Sequence, residues 1–385
     1  MNKIKEVASL FLKLGIIAFG GPAAHIAMMQ REVVRDRKWM SEQHFLDLVG
    51  ATNLIPGPNS TEMAIHCGYQ RAGWPGLLVS GVCFILPASI ITGLLAWVYA
   101  EYHTVPQLQV FMYGIKPAVI AIILGAVQQL GRKALKSWQL GVVGVFVMLL
   151  AFAGISEVLA ILIGGVLGML WLRLGNKNDS TGTGMGILAL RSIRPPAALA
   201  GAAAVVGVSS LQLFLVFLKI GAVLFGSGYV LVAYLDGELV NKLGWLTKTQ
   251  LLDAIAIGQF TPGPVLSTAT FVGFQIDGIS GAVLATVGIF LPSFFFVAAL
   301  NPLIPKLRQS KWASAFLDAV NISALGLMVA VTLNLGRATI TDWKSILIAV
   351  TSIFVAFRFK KVNSAWIILG GAALGFVLKL VEYLI

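Results

Sequence analysis

Two Pro-Gly-Pro tripeptides, Pro56-Gly57-Pro58 and Pro262-Gly263-Pro264, each interrupt an apolar stretch. Small hydroxyl and amide side chains follow them: Asn59, Ser60 and Thr61 after the first, Ser267 and Thr268 after the second. A helix that restarts at such a break, with proline at its first position, has first-turn N–H groups without intrahelical acceptors. Its N-terminus also carries about half a positive charge. Anions bind at ends of this kind. Lys13 and Lys219 sit at matching places in two apolar segments. A lysine in mid-span costs about 2.5–3.5 kcal/mol on insertion scales. Lys13 lies roughly 12 Å into its helix, which is far for snorkelling. Two lysines and two helix ends would supply about +3 of local charge, suited to a dianion. Lys116, in Gly114-Ile115-Lys116-Pro117, is a third cation, and its counterpart is Asn321.

The titratable candidates for coupling are Glu62, Glu32 and His25. Glu62 follows Asn59 by three positions, the spacing of a capping-box glutamate or of a proton carrier placed at the break. Glu32 and Glu238 are expected to pair with Arg31 and Arg35, or with Lys242, and Asp47 and Asp253 within the helical hairpins around the breaks. His25 and His66 could titrate near neutrality but have no histidine counterparts. Cys67 and Cys83 form no disulfide framework. Metal-ligand clusters, nucleophilic triads and phosphate-loop spacings are absent from the sequence, so no metal, cofactor or enzymatic reaction is expected.

The elements that hold these residues are apolar throughout. Of 385 residues, 58% are apolar and 11% charged, and mean hydropathy is +0.88. Soluble domains carry about 25% charged residues. A disordered chain, an ordinary soluble enzyme and a nucleic-acid binder are thereby excluded, and a multi-span membrane protein is indicated. The net charge of +12 then belongs to cytoplasmic loops, not to nucleic-acid binding. Met1 to Lys5 and the apolar run after them are taken as the start of the first helix, not as a removable signal.

The chain is written twice. Phe11-Leu12-Lys13-Leu14-Gly15 matches Phe217-Leu218-Lys219-Ile220-Gly221, and the same spacing pairs Phe19-Gly20 with Phe225-Gly226, Glu32 with Glu238, Trp39 with Trp245 and Asp47 with Asp253. It also pairs the two Pro-Gly-Pro breaks. After a one-residue shift it pairs Gly68 with Gly273, Gly73 with Gly278, Gly76 with Gly281 and Leu86-Pro87 with Leu291-Pro292. Residues 1–175 form the first repeat, 209–385 the second, and 176–208, rich in Gly, Ser, Thr and charge, the linker.

Each repeat should contain a short helix ending at Phe-Gly (5–19, 211–225) and an amphipathic stretch bearing Glu32 or Glu238. Two short pieces around Pro-Gly-Pro follow (41–54 and 58–72; 247–260 and 264–275), with Ser41 and Thr247 as N-caps. Four longer segments close each repeat (76–100, 107–132, 138–153 and 157–173; 281–301, 312–336, 343–357 and 363–380). The broken pieces are too short for the roughly 20 residues of a span, so they are expected to form re-entrant hairpins. Basic loops alternate with opposite sense in the two repeats: Arg132, Lys133 and Lys136 in one, Lys306, Arg308 and Lys311, then Arg358, Lys360 and Lys361, in the other. The expected fold is therefore an all-α polytopic membrane protein. It has ten spans and two re-entrant hairpins, arranged as an inverted-topology repeat. The alternative is an N-inside chain whose hairpin pieces count as crossings. Broken helices in inverted repeats are the construction of secondary transporters, with the breaks received by protein or a water-filled cavity.

Several of these residues resemble the chromate ion transporter family of long-chain, two-domain type. Phe19-Gly20-Gly21-Pro22 with His25 is similar to its amino-terminal signature. The run Asn53-Leu54-Ile55-Pro56-Gly57-Pro58-Asn59-Ser60-Thr61-Glu62 is similar to its most distinctive motif. Gly68-Tyr69, Arg71, Cys83-Phe84 and Leu86-Pro87-Ala88 continue the likeness, and Phe260-Thr261-Pro262-Gly263-Pro264 is the weaker form in the second half. The resemblance covers nearly the whole chain. It implies a multi-pass protein of a prokaryotic cytoplasmic (inner) membrane that exports chromate and confers chromate resistance. Sulfate is the natural analogue, and proton motive force or a counter-anion the drive. A sulfate or other oxyanion permease and a passive anion channel are the alternatives. A homodimer is the expected assembly. The departure from the family pattern is the linker, whose Ala197 to Val208 could add a partial span.

Overall fold

The computed structural model describes residues 3–19, 21–53, 55–102, 105–174, 208–226, 228–300, 310–359 and 362–384. The expected linker therefore lies outside the described residues apart from Val208. So do Gly20, Ser227 and the loop cations Lys306, Arg308, Lys360 and Lys361. The described chain is all-helical.

In the first half, α1 (Lys3–Ile17) leads to α2 (Gly21–Gln30), which runs into a π-helical turn, Arg31–Asp36. Then come α3 (Glu42–Thr52), α4 (Asn59–Tyr102), α5 (Pro106–Ala134), α6 (Trp138–Phe152) and α7 (Glu157–Leu174). The second half repeats the order with α8 (Ser210–Val223), the short α9 (Leu231–Leu235) with its π-helical turn Asp236–Lys242, and α10 (Lys248–Phe260). It closes with α11 (Thr268–Leu300), α12 (Lys311–Thr339), α13 (Trp343–Arg358) and α14 (Ser364–Leu384). The anticipated caps are present. Ser41 accepts from the His44 amide, and Thr247 forms a capping box with Gln250.

Both long helices that follow a break are hairpins. In α4 the helical dihedrals fail at Ala72 and Gly73, and in α11 at Asp277 and Gly278. Gly73 (φ 64°, ψ −148°) and Gly278 (φ 56°, ψ −143°) adopt a positive-φ conformation that only glycine enters without strain. The arms then fold back so tightly that Gly68 lies backbone to backbone with Gly76, and Gly273 with Gly281. A side chain at any of these four glycines would push the arms apart. The arm 59–72 is roughly 20 Å long, less than the hydrocarbon thickness of about 30 Å.

The halves interlock. Helix α5 packs against α13 and α14 of the other half, α12 packs against α6 and α7, and α5 and α12 pack on each other. Lys136 at the end of α5 pairs with Asp318 at the start of α12 at 2.6 Å, so the two central helices are antiparallel. The close approaches are made by small residues: Gly114 against Gly371 and Gly375, and Gly164 and Gly168 against Ser323 and Ala319. One apolar core runs through both halves and includes Ile120, Val147, Phe217, Val320 and Met328.

The outer surface is apolar as well. Leu78, Val82, Leu86, Ile90 and Leu94 are exposed at four-residue spacing on α4, as are Ile279, Val283, Val287, Leu291 and Phe295 on α11. A helix hydrophobic on its outward stripe belongs in lipid. Among the described residues, six helices are long and apolar enough to cross a membrane: Asn59–Tyr102, Gln109–Ala134, Glu157–Leu174, Val265–Ala299, Lys311–Thr339 and Ser364–Glu382. Trp138–Phe152 and Ser210–Val223 are apolar but shorter.

Candidate functional site at the Pro-Gly-Pro breaks

Each break is held by the other half of the chain. The Gly57 amide donates to the carbonyl of Leu224, just past α8, at 2.7 Å. The Gly263 amide donates to the carbonyl of Ala18, just past α1, at 2.8 Å. Both glycines have positive φ, 140° and 89°. Backbone groups released by the breaks thus find partners inside the protein, as an interruption within an apolar helix requires. His25 Nε2 donates to the same Ala18 carbonyl at 3.1 Å, and its ring lies edge-on to Phe84.

Helix α4 restarts one residue later than the sequence suggests. Pro58 precedes its first helical residue, and the Pro58 carbonyl accepts from the amides of Thr61 (2.8 Å) and Glu62 (3.1 Å). The amides of Asn59 and Ser60 stand ahead of the first helical bond and are the donors such a terminus offers. The Asn59 side chain donates to Asn53 at 2.7 Å. At the second break Pro264 caps a short 3₁₀ turn, Val265–Ser267, before α11 begins.

The two breaks differ in how their polar groups are satisfied. At the second, Thr268 Oγ1 donates to the Val265 carbonyl at 2.8 Å, and Thr92 donates to Ser267 at 3.3 Å. At the first, Glu62 is fully buried and neither carboxyl oxygen has a hydrogen-bond partner among the described residues. Thr61 Oγ1 and Ser293 Oγ are buried without partners too. Glu62 Oε1 lies against the Gly57 Cα, and a methyl group added there would also come within 2.7 Å of Ser293 Oγ. Glu62 is therefore not closing a capping box. At the equivalent place in the second break a methyl on Gly263 would meet Ala88. Polar groups buried without partners cost about 1–3 kcal/mol each, so a cluster of them marks a place prepared for something else.

The repeat-related lysines have carboxylate partners. Lys13 Nζ is 2.6 Å from Glu32, which also receives Arg37, and Lys219 Nζ is 2.7 Å from Glu238, which also receives Lys242. Their side chains are 53% and 43% exposed, so each amine leans out to the amphipathic segment beside it. Sequence reasoning expected Arg31 and Arg35 as partners of Glu32; Arg31 instead faces Asp36. Lys116 pairs with Asp253 at 3.5 Å, and Tyr99 donates to the other oxygen of Asp253 at 2.7 Å, so this cluster joins α4, α5 and α10. Asp47, the repeat partner of Asp253, accepts from Gln43.

Two polar cavities flank the antiparallel α5–α12 pair at opposite ends. One, of ≈ 350 Å³, is lined by Asn53, Lys133, Lys136, Gly226, Asp318 and Asn321. The other, of ≈ 450 Å³, is lined by Tyr99, Tyr113, Lys116, Lys248, Asp253 and Thr341. The first reaches the first break through Asn53. Among the described residues no group of three or more His, Cys, Asp or Glu could hold a metal ion.

A sequence profile described as chromate transporter matches residues 5–169 and again 211–376, one match on each half. The chain belongs to the chromate transporter family. It is 30% identical to a chromate transport protein of Cupriavidus metallidurans, over 97% of this chain and 93% of that one. It is 32% identical to a chromate transport protein of Pseudomonas aeruginosa, over 91% and 85%. It is 30% identical to a probable chromate transport protein of Synechococcus elongatus, over 97% and 95%. No solved structure matches. The chromate transporter family is one of membrane transporters and not of enzymes, in keeping with the multi-span architecture.

Ser293 is the residue at this transporter's first break that sequence reasoning missed. Its signal was present: it follows Leu291-Pro292, the counterpart of Leu86-Pro87, where the first half has Ala88. Nothing in the sequence says that position 293 meets the break of the opposite half.

Proposed function

We propose that this protein is a secondary transporter that exports chromate across the cytoplasmic membrane of a prokaryote. The oxyanion binds at the first Pro-Gly-Pro break. The observation that carries this reading is the buried cluster of unsatisfied polar atoms around Gly57, at a helix start that has free amides. Asn59, Ser60 and Thr61 are the donors, Gly57 lets the anion approach the backbone, and Ser293 completes the wall. Gly263, Ser267 and Thr268 form the corresponding surface of the second break, whose hydroxyls are already bonded and which serves as the counterpart in the opposite orientation. Lys13 and Lys219 fall outside the anion site in this reading, because Glu32 and Glu238 neutralise them. Lys116, with Asp253, lines the vestibule at the far end.

The repeats 1–175 and 209–385 are read as an inverted-topology pair joined by 176–208, with ten spans and the broken arms re-entering the membrane. Reciprocal docking of each break on the other half supports it. The two cavities at opposite ends of α5 and α12 suit alternating access, in which one bundle rocks against the other. The drive is proton motive force or exchange for an anion such as sulfate. A homodimer is the proposed assembly.

The test is chromate flux in proteoliposomes, with sulfate inside or outside and a pH gradient present or absent. Saturable chromate movement that requires the trans anion or the gradient is expected. Flux that ignores both would make the protein a channel, and absence of chromate movement would refute the assignment.

A further inference from the structure

We propose that ionised Glu62 is a tethered competitor of the substrate, so that, in the alkaline range where free Glu62 is ionised, the protein takes up one proton at Glu62 for each doubly charged oxyanion it binds. This rests on the reading of the first break as the anion site. Glu62 belongs to the first turns of the helix that starts at Asn59, and its side chain returns to the Gly57 backbone, the point the oxyanion must approach. An ionised carboxylate there already occupies the positive end of the helix, and a dianion placed beside it meets like charge in a buried setting. A proton removes that charge and converts the carboxyl from an acceptor into an O–H donor, which an oxyanion can use. The proton comes from solution and returns to it on release, with no bond formed or broken in the oxyanion.

Among the described residues, Glu62 has no ion-pair or hydrogen-bond partner, and the charged groups on the elements around it are engaged elsewhere. On α1, Lys13 is tied to Glu32 and Glu6 to Arg71. On α2, His25 is bonded to Ala18. On α3, Asp47 accepts from Gln43, and the His44 amide donates to the Ser41 cap. On α8, Lys219 is tied to Glu238, and α11 presents Ser293 to this point, its Asp277 being bonded to Ser210 and Ser280. On its own helix, His66 lies one turn on along the same face and is likewise buried without a hydrogen-bond partner among the described residues, and the buried thiol of Cys67 follows it. The second break has Thr268 at the position equivalent to Glu62, already bonded to its own turn. The device therefore exists in one half. Export of one dianion with one proton moves one net negative charge outward, a direction that an inside-negative potential favours.

The experiment measures oxyanion affinity and proton uptake together. Purified full-length protein in weakly buffered detergent is titrated with chromate at alkaline pH, where chromate is a dianion, and with sulfate, which stays a dianion throughout. Wild type should take up close to one proton per anion bound, and its affinity should rise about tenfold per pH unit of acidification while free Glu62 is ionised. Glu62→Gln should bind with no proton uptake and with an affinity independent of pH, which also separates Glu62 from His66. Binding by wild type without proton uptake, or uptake that survives in Glu62→Gln, overturns the coupling and leaves the anion site standing. Failure of wild type to bind either anion at any pH overturns both. If Glu62→Gln does not fold, the same titration of His66→Gln decides the matter: uptake that persists supports Glu62, and uptake that disappears overturns it.

Discussion

The amide of Gly57 donates to the carbonyl of Leu224 at 2.7 Å, across the boundary between the two halves. Its repeat partner Gly263 does the same to Ala18 at 2.8 Å. Each half therefore completes the interruption in the other. In an isolated half each break would lose the backbone acceptor that the other half supplies.

Gly57→Ala should be far more damaging than Gly73→Ala. At position 57, φ is 140° and an added methyl collides with Glu62 and Ser293. At position 73, φ is 64° and nothing lies within 4 Å. The second substitution should cost only the backbone strain of a side chain at φ 64°, ψ −148°, about 1–3 kcal/mol. Thermal unfolding in detergent, together with chromate flux, checks this: Gly73→Ala should keep transport and Gly57→Ala lose it.

Lys116 and Lys136 both bridge elements, but in different surroundings. Lys116 meets Asp253, whose side chain is 3% exposed, whereas Lys136 is 59% exposed beside Asp318. Removing one partner of a buried pair costs about 3–5 kcal/mol, and the 3.5 Å separation places Lys116→Met near the lower end. Lys136→Met should cost no more than about 1 kcal/mol. Equal losses in a denaturation series would contradict the placement of Lys116.

Lys13 and Glu32 should behave as a couple. A double-mutant cycle with Lys13→Ala and Glu32→Gln should give a coupling energy near the top of the roughly 0.2–1 kcal/mol range for partly exposed pairs. Oxyanion affinity in the double variant should match wild type, as the paired lysine is not a ligand. A loss of affinity that persists in the double variant would return Lys13 to the anion site.

Asp342 supplies an acid-sensitive tie between the halves. It caps α13 by accepting from the Ser345 amide, and it accepts from Tyr113 of α5 at 2.5 Å. These bonds, the Ser345 amide first, hold its carboxyl below the usual aspartate value. A carboxyl lowered on folding adds stability that is present above its unfolded value and is lost as pH falls through its folded value. Melting temperature should therefore drop on acidification below the ordinary carboxylate range, with a smaller drop in Asp342→Asn. Identical acid limbs would exclude Asp342 as a contributor.

Much of this protein was legible in the order of its residues. Apolar runs interrupted at Phe-Gly and Pro-Gly-Pro placed α1, α3, the two arms of α4 and their repeats. Ser41 and Thr247 marked helix starts because capping is a local interaction of three or four residues. The motif around Pro56-Gly57-Pro58 was enough to suggest the family. What the sequence left open depends on contacts between distant segments. Whether Lys13 faces an anion or Glu32 turns on where the π-helical turn after α2 lies. Whether Glu62 closes a capping box or stands unpartnered turns on its side chain packing back against Gly57. That the hydroxyls of one break are bonded and those of the other are not depends in part on Thr92, which reaches Ser267, and on Ser293, which reaches Gly57, and both arrive only because the halves cross. Local chemistry is set by neighbours in the chain, whereas the charge balance of a buried site is set by whichever residues the packing brings to it.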